Sequence, residues 1–274
     1  MRTSFFVGAI LAIAVTVYAA SDEQTLVVCS PGSPGTTDEA QPRMDALASA
    51  LGSKIGGGGI TAVYEPGDAG GVKRFESASL GIVSLPFFLA HEKELGLHAR
   101  LEAVQKGRPA LERWTLVAQK GRVGKAESLS GMTIVSSSGF APDFVRGAIA
   151  QLGAVPAGVK IVQSSAVLSA LRKAAAGQPI AVLLDGPQAA SLASLPFAAK
   201  LETVTASPAW PAGLVVSVDA KVSAKEWAPI QSALLGLGAD RTGAAVLEGL
   251  QMEHFAALDE AALASARKAF ARAQ

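Results

Sequence analysis

The sequence predicts an α/β protein built as two similar lobes, and three observations predict it. From Thr25 onward, short β-branched runs alternate with helical patterns, which is the signature of largely parallel sheets. The order strand, helix, strand, helix, strand is complete by Phe88, and after an irregular stretch from His98 to Arg113 it starts afresh. Of the 274 residues 50% are apolar, enough to bury one or two cores.

The chain opens with Arg2, an apolar run from Phe5 to Val17, and the small pair Ala19-Ala20 ahead of Ser21-Asp-Glu-Gln24. That pattern reads as a secretory signal peptide over residues 1–19, cleaved after Ala19. The run is shorter than the roughly 20 apolar residues a spanning helix needs. The remainder is expected to work in the periplasm or otherwise outside the cytoplasm.

The first strand is Thr25-Leu-Val-Val-Cys29, followed by a loop rich in Pro, Gly, Ser and Thr. Met44, Leu47, Leu51 and Ile55 then share one face at helical spacing, and Gly56 to Gly59 stop that helix. Ile60–Tyr64 is the second strand. A glycine-rich turn and a short helix near Val72–Ala78 lead to the buried strand Leu80–Val83, which runs on through Ser84-Leu-Pro-Phe-Phe88.

After Trp114–Ala118 come a strand at Met132–Val135, a helix from about Pro142 to Leu152 and a strand at Val159–Val162. A helix at Ala166–Ala176 and the strand Ile180–Leu184 complete the second series. Gly213–Val218 is the last expected strand, with helices near 224–238 and 241–251 and a terminal helix from Glu260. No short fixed period recurs, which argues against a solenoid.

Formal net charge is +1, falling to zero when Arg2 leaves with the signal peptide. No basic stripe suggests nucleic acid and no charge run suggests a disordered tail. Cys29 is the only cysteine, so no intramolecular disulfide is possible, and it reads as a buried thiol. His91, His98 and His254 lack metal-ligand spacing, and no nucleophile elbow, Walker loop or Cys/His pair is present. No cofactor, metal site or catalytic residue is expected, and the chain is read as a non-enzyme.

Several phrases, in order, resemble the phosphate/phosphonate-type substrate-binding proteins of ABC importers, which have the type 2 periplasmic-binding fold. They are Ala78-Ser-Leu-Gly-Ile-Val-Ser-Leu-Pro86, Leu129-Ser-Gly-Met-Thr-Ile-Val135, Ala175-Ala-Gly-Gln-Pro-Ile-Ala-Val182, and Glu253-His-Phe255 with Asp259. The resemblance implies two lobes, each a mostly parallel sheet flanked by helices, joined by two crossing hinge strands near Glu112–Val117 and Ser207–Val215. Lobe 1 is then 20–113 plus 211–274, and lobe 2 is 114–210. It also implies a monomer that closes on a small-molecule ligand and meets a transporter permease, with no nucleic-acid partner. A ligand sensor or interaction module on the same fold is the alternative. The sequence departs from the family at Ser79-Leu80-Gly81, where an acid is usual.

Hydroxyls and backbone N–H groups beside helix starts suit an oxyanion. The first such loop holds Ser30, Thr36 and Thr37, although Thr36 with Glu39 also reads as a capping box. In it, Pro42 fits better near the helix start than inside the helix. The second is Ser136, Ser137, Ser138 and Gly139, with Asp143 nearby as a competing carboxylate. Ser164 and Ser165 form the third, where helix capping is the more natural role, though a cap and a ligand contact are compatible. Ser84 matches the family's ligand loop. Asp185 is placed either to hold an amine or to cap the helix after Pro187. Tyr64, Phe87 and Trp210 are candidates for cleft walls or for core. None of the three loops contains an arginine.

Overall fold

The computed structural model describes residues 24–56 and 59–274; the expected signal peptide lies outside them. Strand β1 (Gln24–Cys29) buries Leu26, Val27 and Cys29. Helix α1 (Thr37–Lys54) turns Met44, Leu47 and Leu51 onto the sheet, as the 3.6-residue period requires. Its start is set by the Thr36–Glu39 capping box: Glu39 N–H donates to Thr36 Oγ1 at 3.3 Å, and Thr36 N–H donates to Glu39 Oε2 at 3.0 Å. Pro42 therefore lies inside the helix, on its exposed side, and not near its start.

Strand β2 (Ile60–Glu65), helix α2 (Asp68–Phe75) and strand β3 (Leu80–Ser84) follow. The chain from Leu85 departs from the expected strand: it is helix α3 (Leu85–Leu95), with Pro86 in the first turn, where its missing N–H costs no bond. The irregular stretch likewise begins as a nine-residue strand, β4 (Leu97–Gln105). Its alternation is obscured because Leu101, Glu102, Ala103 and Val104 are all buried.

Short strand β5 (Leu111–Glu112) leads into β6 (Thr115–Gln119) and then β7 (Thr133–Ser136), α4 (Pro142–Ala148), β8 (Lys160–Gln163), α5 (Val167–Ala175) and β9 (Ile180–Leu184). Helix α6 (Gly186–Ser191) and strands β10 (Leu201–Ala206) and β11 (Trp210–Pro211) complete this part. The chain ends with β12 (Gly213–Val218), α7 (Ala224–Leu235), α8 (Arg241–Gly249), β13 (Met252–Ala257) and α9 (Glu260–Ala271). Among the described residues no helix is long and apolar enough to cross a membrane.

The strands form two mixed sheets of the same plan. One has the order β13-β4-β12-β3-β1-β2, with β1 to β4 running one way and β12 and β13 opposed. The other has the order β10-β6-β9-β7-β8, in which only β6 is opposed. Reading β2-β1-β3-β12-β4 against β8-β7-β9-β6-β10 shows the repeated pattern. Between the sheets, β5 and β11 form a small antiparallel ladder with Trp210 opposite Glu112.

The terminal helix packs on α4 and on β11. Gly147 of α4 lets α9 approach so closely that a Cβ there would lie 2.8 Å from the Ala269 carbonyl oxygen. Leu263 and Ala266 of α9 are buried with Phe144, Val145 and Trp210 in one continuous apolar cluster. From the same helix Arg267 Nε donates to Glu92 of α3 at 2.9 Å, and its guanidinium covers Phe88 at 5.3 Å. Helix α9 thus clasps both sheets from behind.

Close packing makes the interior intolerant at defined points. A Cβ on Gly81, in the middle of β3, would fall 2.9 Å from Phe75 Cε1 and 3.0 Å from Val216 Cγ2, both fixed in the core. Gly81→Ala is expected to cost about 1–3 kcal/mol in a denaturant titration. Gly249→Ala, with open space at the end of α8, should instead be neutral or gain up to ~1 kcal/mol.

Candidate functional site

In each sheet the first parallel strand connects to a neighbour on one side, and the third strand returns on the other. The gap beyond β1 and β3, and that beyond β7 and β9, are therefore topological switch points, where open α/β sheets bind ligands. Both gaps open on one cleft of about 190 Å³. Its walls include Ser30 to Pro34 after β1, Ser84 and Pro86 at the start of α3, Ser137 and Ser138 after β7, and Asp185 and Gln188 around the start of α6.

The two sides touch across this cleft. Gly32 has φ +88°, a conformation natural to glycine, and a Cβ there would lie 2.6 Å from the Ser137 carbonyl oxygen. A side chain at 32 would hold the walls apart.

The two third-strand loops are finished in opposite ways. At the start of α6, Asp185 Oδ1 accepts the Gln188 N–H at 2.8 Å, and the Gln188 side chain accepts the Asp185 N–H at 3.2 Å. Glu112, from β5, adds a carboxylate that accepts the Gly186 N–H at 3.1 Å. The N–H groups there are occupied and the local charge is negative. At the start of α3, Ser84 makes no cap hydrogen bond, so the first N–H groups are left free of any side-chain cap.

Two buried polar atoms in the described residues have no protein partner: Ser84 Oγ and Trp114 Nε1. Both residues wall the cleft. Burying a donor unpaired costs about 1–3 kcal/mol, so two together on one cavity call for a ligand or water to complete them. Indole N–H only donates, so what meets Trp114 must be an acceptor. The Trp114 ring is held edge-on against Phe144, with centroids 4.9 Å apart, and its backbone N–H donates to Ser207 Oγ at 3.0 Å.

Of the residues singled out from sequence, Ser30, Ser84, Ser137, Ser138 and Asp185 line the cleft. Thr36 is used by its capping box and faces an outer groove, and Thr37 begins α1. Ser136 is fully buried behind the second loop, its Oγ accepting the Ser138 N–H at 3.2 Å. Gly139 does not line the cleft; it packs on the backbone of Val162 and Gln163. Ser164 is turned to the Ala166 N–H, and neither it nor Ser165 lines the cleft. Tyr64, Phe87 and Trp210 are buried elsewhere, and Trp114 is the aromatic wall.

Sequence reading missed Trp114, Gln105, Arg108 and Glu112. The last three come from the stretch read as irregular, so the cleft does have an arginine although none of its predicted loops does. Arg108 Nη1 lies 3.9 Å from Asp185 Oδ2. Among the described residues no group of three or more His, Cys, Asp or Glu could hold a metal ion.

Glu112 is only 5% exposed. Burial above all, and then the Asp185 carboxylate, push its pKa up from 4.5 to about 7, against the pull of the Gly186 N–H and Arg108. Because the folded pKa is the higher one, both states are protonated below about pH 4.5 and nothing is lost. As pH rises toward 7 the unfolded chain ionises first, and stability falls by a limit of about 3 kcal/mol above pH 7. Glu112→Gln retains an acceptor for Gly186. Chemical denaturation should find it more stable than the parent by about 1–3 kcal/mol at pH 8 and little changed at pH 4.

No family model matches the chain, and neither does any curated protein. Solved structures do. The Xanthomonas citri protein XAC2383 bound to chloride is 12% identical, with a TM-score of 0.67 over 91% of this chain and 98% of that one. The binding-protein component of an ABC phosphonate transporter (PA3383) from Pseudomonas aeruginosa is 18% identical, with a TM-score of 0.62 over 92% and 87%. PhnD1 from Prochlorococcus marinus in complex with methylphosphonate is 12% identical, with a TM-score of 0.58 over 91% and 98%. The resemblance to phosphonate-type binding proteins seen in the sequence is thus met in the structure, and the chain has their two-lobed α/β fold.

Proposed function

We propose that this chain is an exported solute-binding protein that captures a small oxyanion of the phosphonate or phosphate-ester class between its lobes and presents it to the permease of an ABC importer. The observation that carries the reading is the pair of unpartnered buried atoms, Ser84 Oγ and Trp114 Nε1, beside the uncapped start of α3. Each can donate to a ligand oxygen, as can the free N–H groups of the helix. Ser30, Ser137 and Ser138 add hydroxyl and backbone groups from both lobes. One structural neighbour is a component of an ABC phosphonate transporter and another is in complex with methylphosphonate, which agrees with this choice.

Charge narrows the class. Asp185 balances Arg108, and Glu112, with its pKa near 7, adds negative charge as pH rises past that value, so the cleft then disfavours a bare dianion such as hydrogen phosphate. A monoanion, or an anion carrying its own amine, fits better: its oxyanion lies against Ser84 and Trp114 and its positive end toward Asp185. The protein then needs no chemistry beyond binding and closing. Capture proceeds by rotation of the lobes about the β5–β11 ladder, with Gly32 meeting Ser137 in the closed form.

A thermal-shift panel of phosphonates, phosphate, sulfonates, amino acids and amines tests the ligand class. A phosphonate at about 100 times its Kd should add roughly 2.7 kcal/mol of stability. Ser84→Ala and Trp114→Phe should each weaken it about tenfold or more while the fold persists, since each removes a donor to a charged acceptor. Stabilisation by amines or amino acids alone, with oxyanions inert, would refute the ligand class and leave the binding role.

Closure has its own check. Gly32→Val should leave the unliganded scattering profile open and prevent the contraction that saturating ligand gives the parent. An unchanged radius of gyration in the parent at saturation would remove the trap mechanism.

A further inference from the structure

Beside the cleft lies a second cavity of about 100 Å³, and Ser30, Ser84, Gln105 and Ala212 wall both spaces. Those four residues form a mostly polar neck. Beyond it the lining is apolar: Val28 of β1, Ile82 of β3, Ala103 of β4 and Met252 of β13, with Leu250 above them. Gly213 of β12 brings no side chain into the space, and even a Cβ there would lie 3.1 Å from the Ala103 carbonyl oxygen.

The cover of this cavity is the end of α8. Gln251, next to Leu250, is the only non-glycine residue described that has positive φ, at +56°. Its carbonyl accepts the Lys106 N–H at 2.9 Å, and its own N–H and Nε2 donate to the Glu248 carbonyl at 3.0 and 2.9 Å. Gln251 is the residue after the α8 C-cap, a place where helices commonly end in the left-handed conformation. Here its effect is to fix Leu250 over an apolar space.

Packed interiors leave few voids larger than a water molecule, and an apolar cavity offers water no partners. This void opens through its neck beside Ser84, the residue already assigned to the oxyanion. We infer that the cavity is a subsite for an apolar substituent on the ligand, so that the bound molecule is an alkyl-substituted oxyanion and not an unsubstituted one. The inference rests on the oxyanion reading above. At ~30 Å³ for each water-sized group, the cavity has room for about three carbons.

The test is calorimetric titration of the full chain with homologous series from methyl to hexyl on four heads: phosphonate, sulfonate, carboxylate and amine. Affinity for the phosphonates should rise about fourfold with each added methylene through propyl and then level off. Ala103→Leu, which fills the cavity, should abolish that rise while methylphosphonate binds as before. Leu250→Ala, which enlarges it, should move the plateau to longer chains, and it decides the matter if Ala103→Leu does not fold. Phosphonate affinity that is flat or falling from methyl onward, or a rise unaltered by Ala103→Leu, overturns the subsite and leaves the oxyanion reading standing. A chain-length rise confined to amines overturns the oxyanion reading and keeps the apolar subsite, whereas one confined to carboxylates or sulfonates overturns only the phosphonate head and keeps both the oxyanion and the subsite. Binding by no member of any series overturns both.

Discussion

Parallel strands must hand the chain back through a helix, so their carboxyl ends and the following helix starts gather on one side of a sheet. In this protein both sheets obey that constraint and present those ends to one gap. Backbone N–H groups, short polar loops and space for a ligand follow from the connectivity before any side chain is chosen. What the side chains decide is which helix starts stay open. Ser84 leaves α3 uncapped, whereas Asp185, Gln188 and Glu112 seal α6. The same architecture, repeated, therefore yields one helix start open to an acceptor and one already closed by side chains.

That asymmetry gives the cleft an orientation. A ligand with one oxyanion and one neutral or positive end can enter in only one sense without placing like charges together. Arg108, 3.9 Å from Asp185, tempers the acidic face without reversing it. Selectivity of this kind comes from the unfavourable arrangement as much as from the favourable one.

The alternating pattern of strands and helices was legible along most of the chain because β-branched runs and helical spacing are local signals. The exceptions have physical causes. Strand β4 buries consecutive residues and so hides its alternation, and Leu85–Phe88 reads as an apolar strand until Pro86 is recognised as a first-turn proline. At the site, Ser30, Ser84, Ser137, Ser138 and Asp185 were visible as polar residues following apolar strands. Ser136 and Ser164 carry the same signature but turn to neighbouring backbone N–H groups, a choice that sequence does not display. Trp114, Arg108 and Glu112 were missed because they reach the cleft from the connecting segment, and only tertiary structure brings that segment there.

Helix α9 has a mechanical consequence. It follows a strand of the first sheet, is fastened to α3 through Arg267 and Glu92, and beds its last turns against α4 near the second. With β5 and β11 it supplies a third attachment between the two halves, on the side away from the cleft. Two strands alone would tolerate twisting and sliding as well as bending. In the proposed closure the added strap would restrict those freedoms and favour rotation about a line near the aromatic cluster of Trp114, Phe144 and Trp210. If the lobes close as proposed, they would swing like the lid of a box and not like a ball in a socket, and opposing loops would return to the same register each time they met.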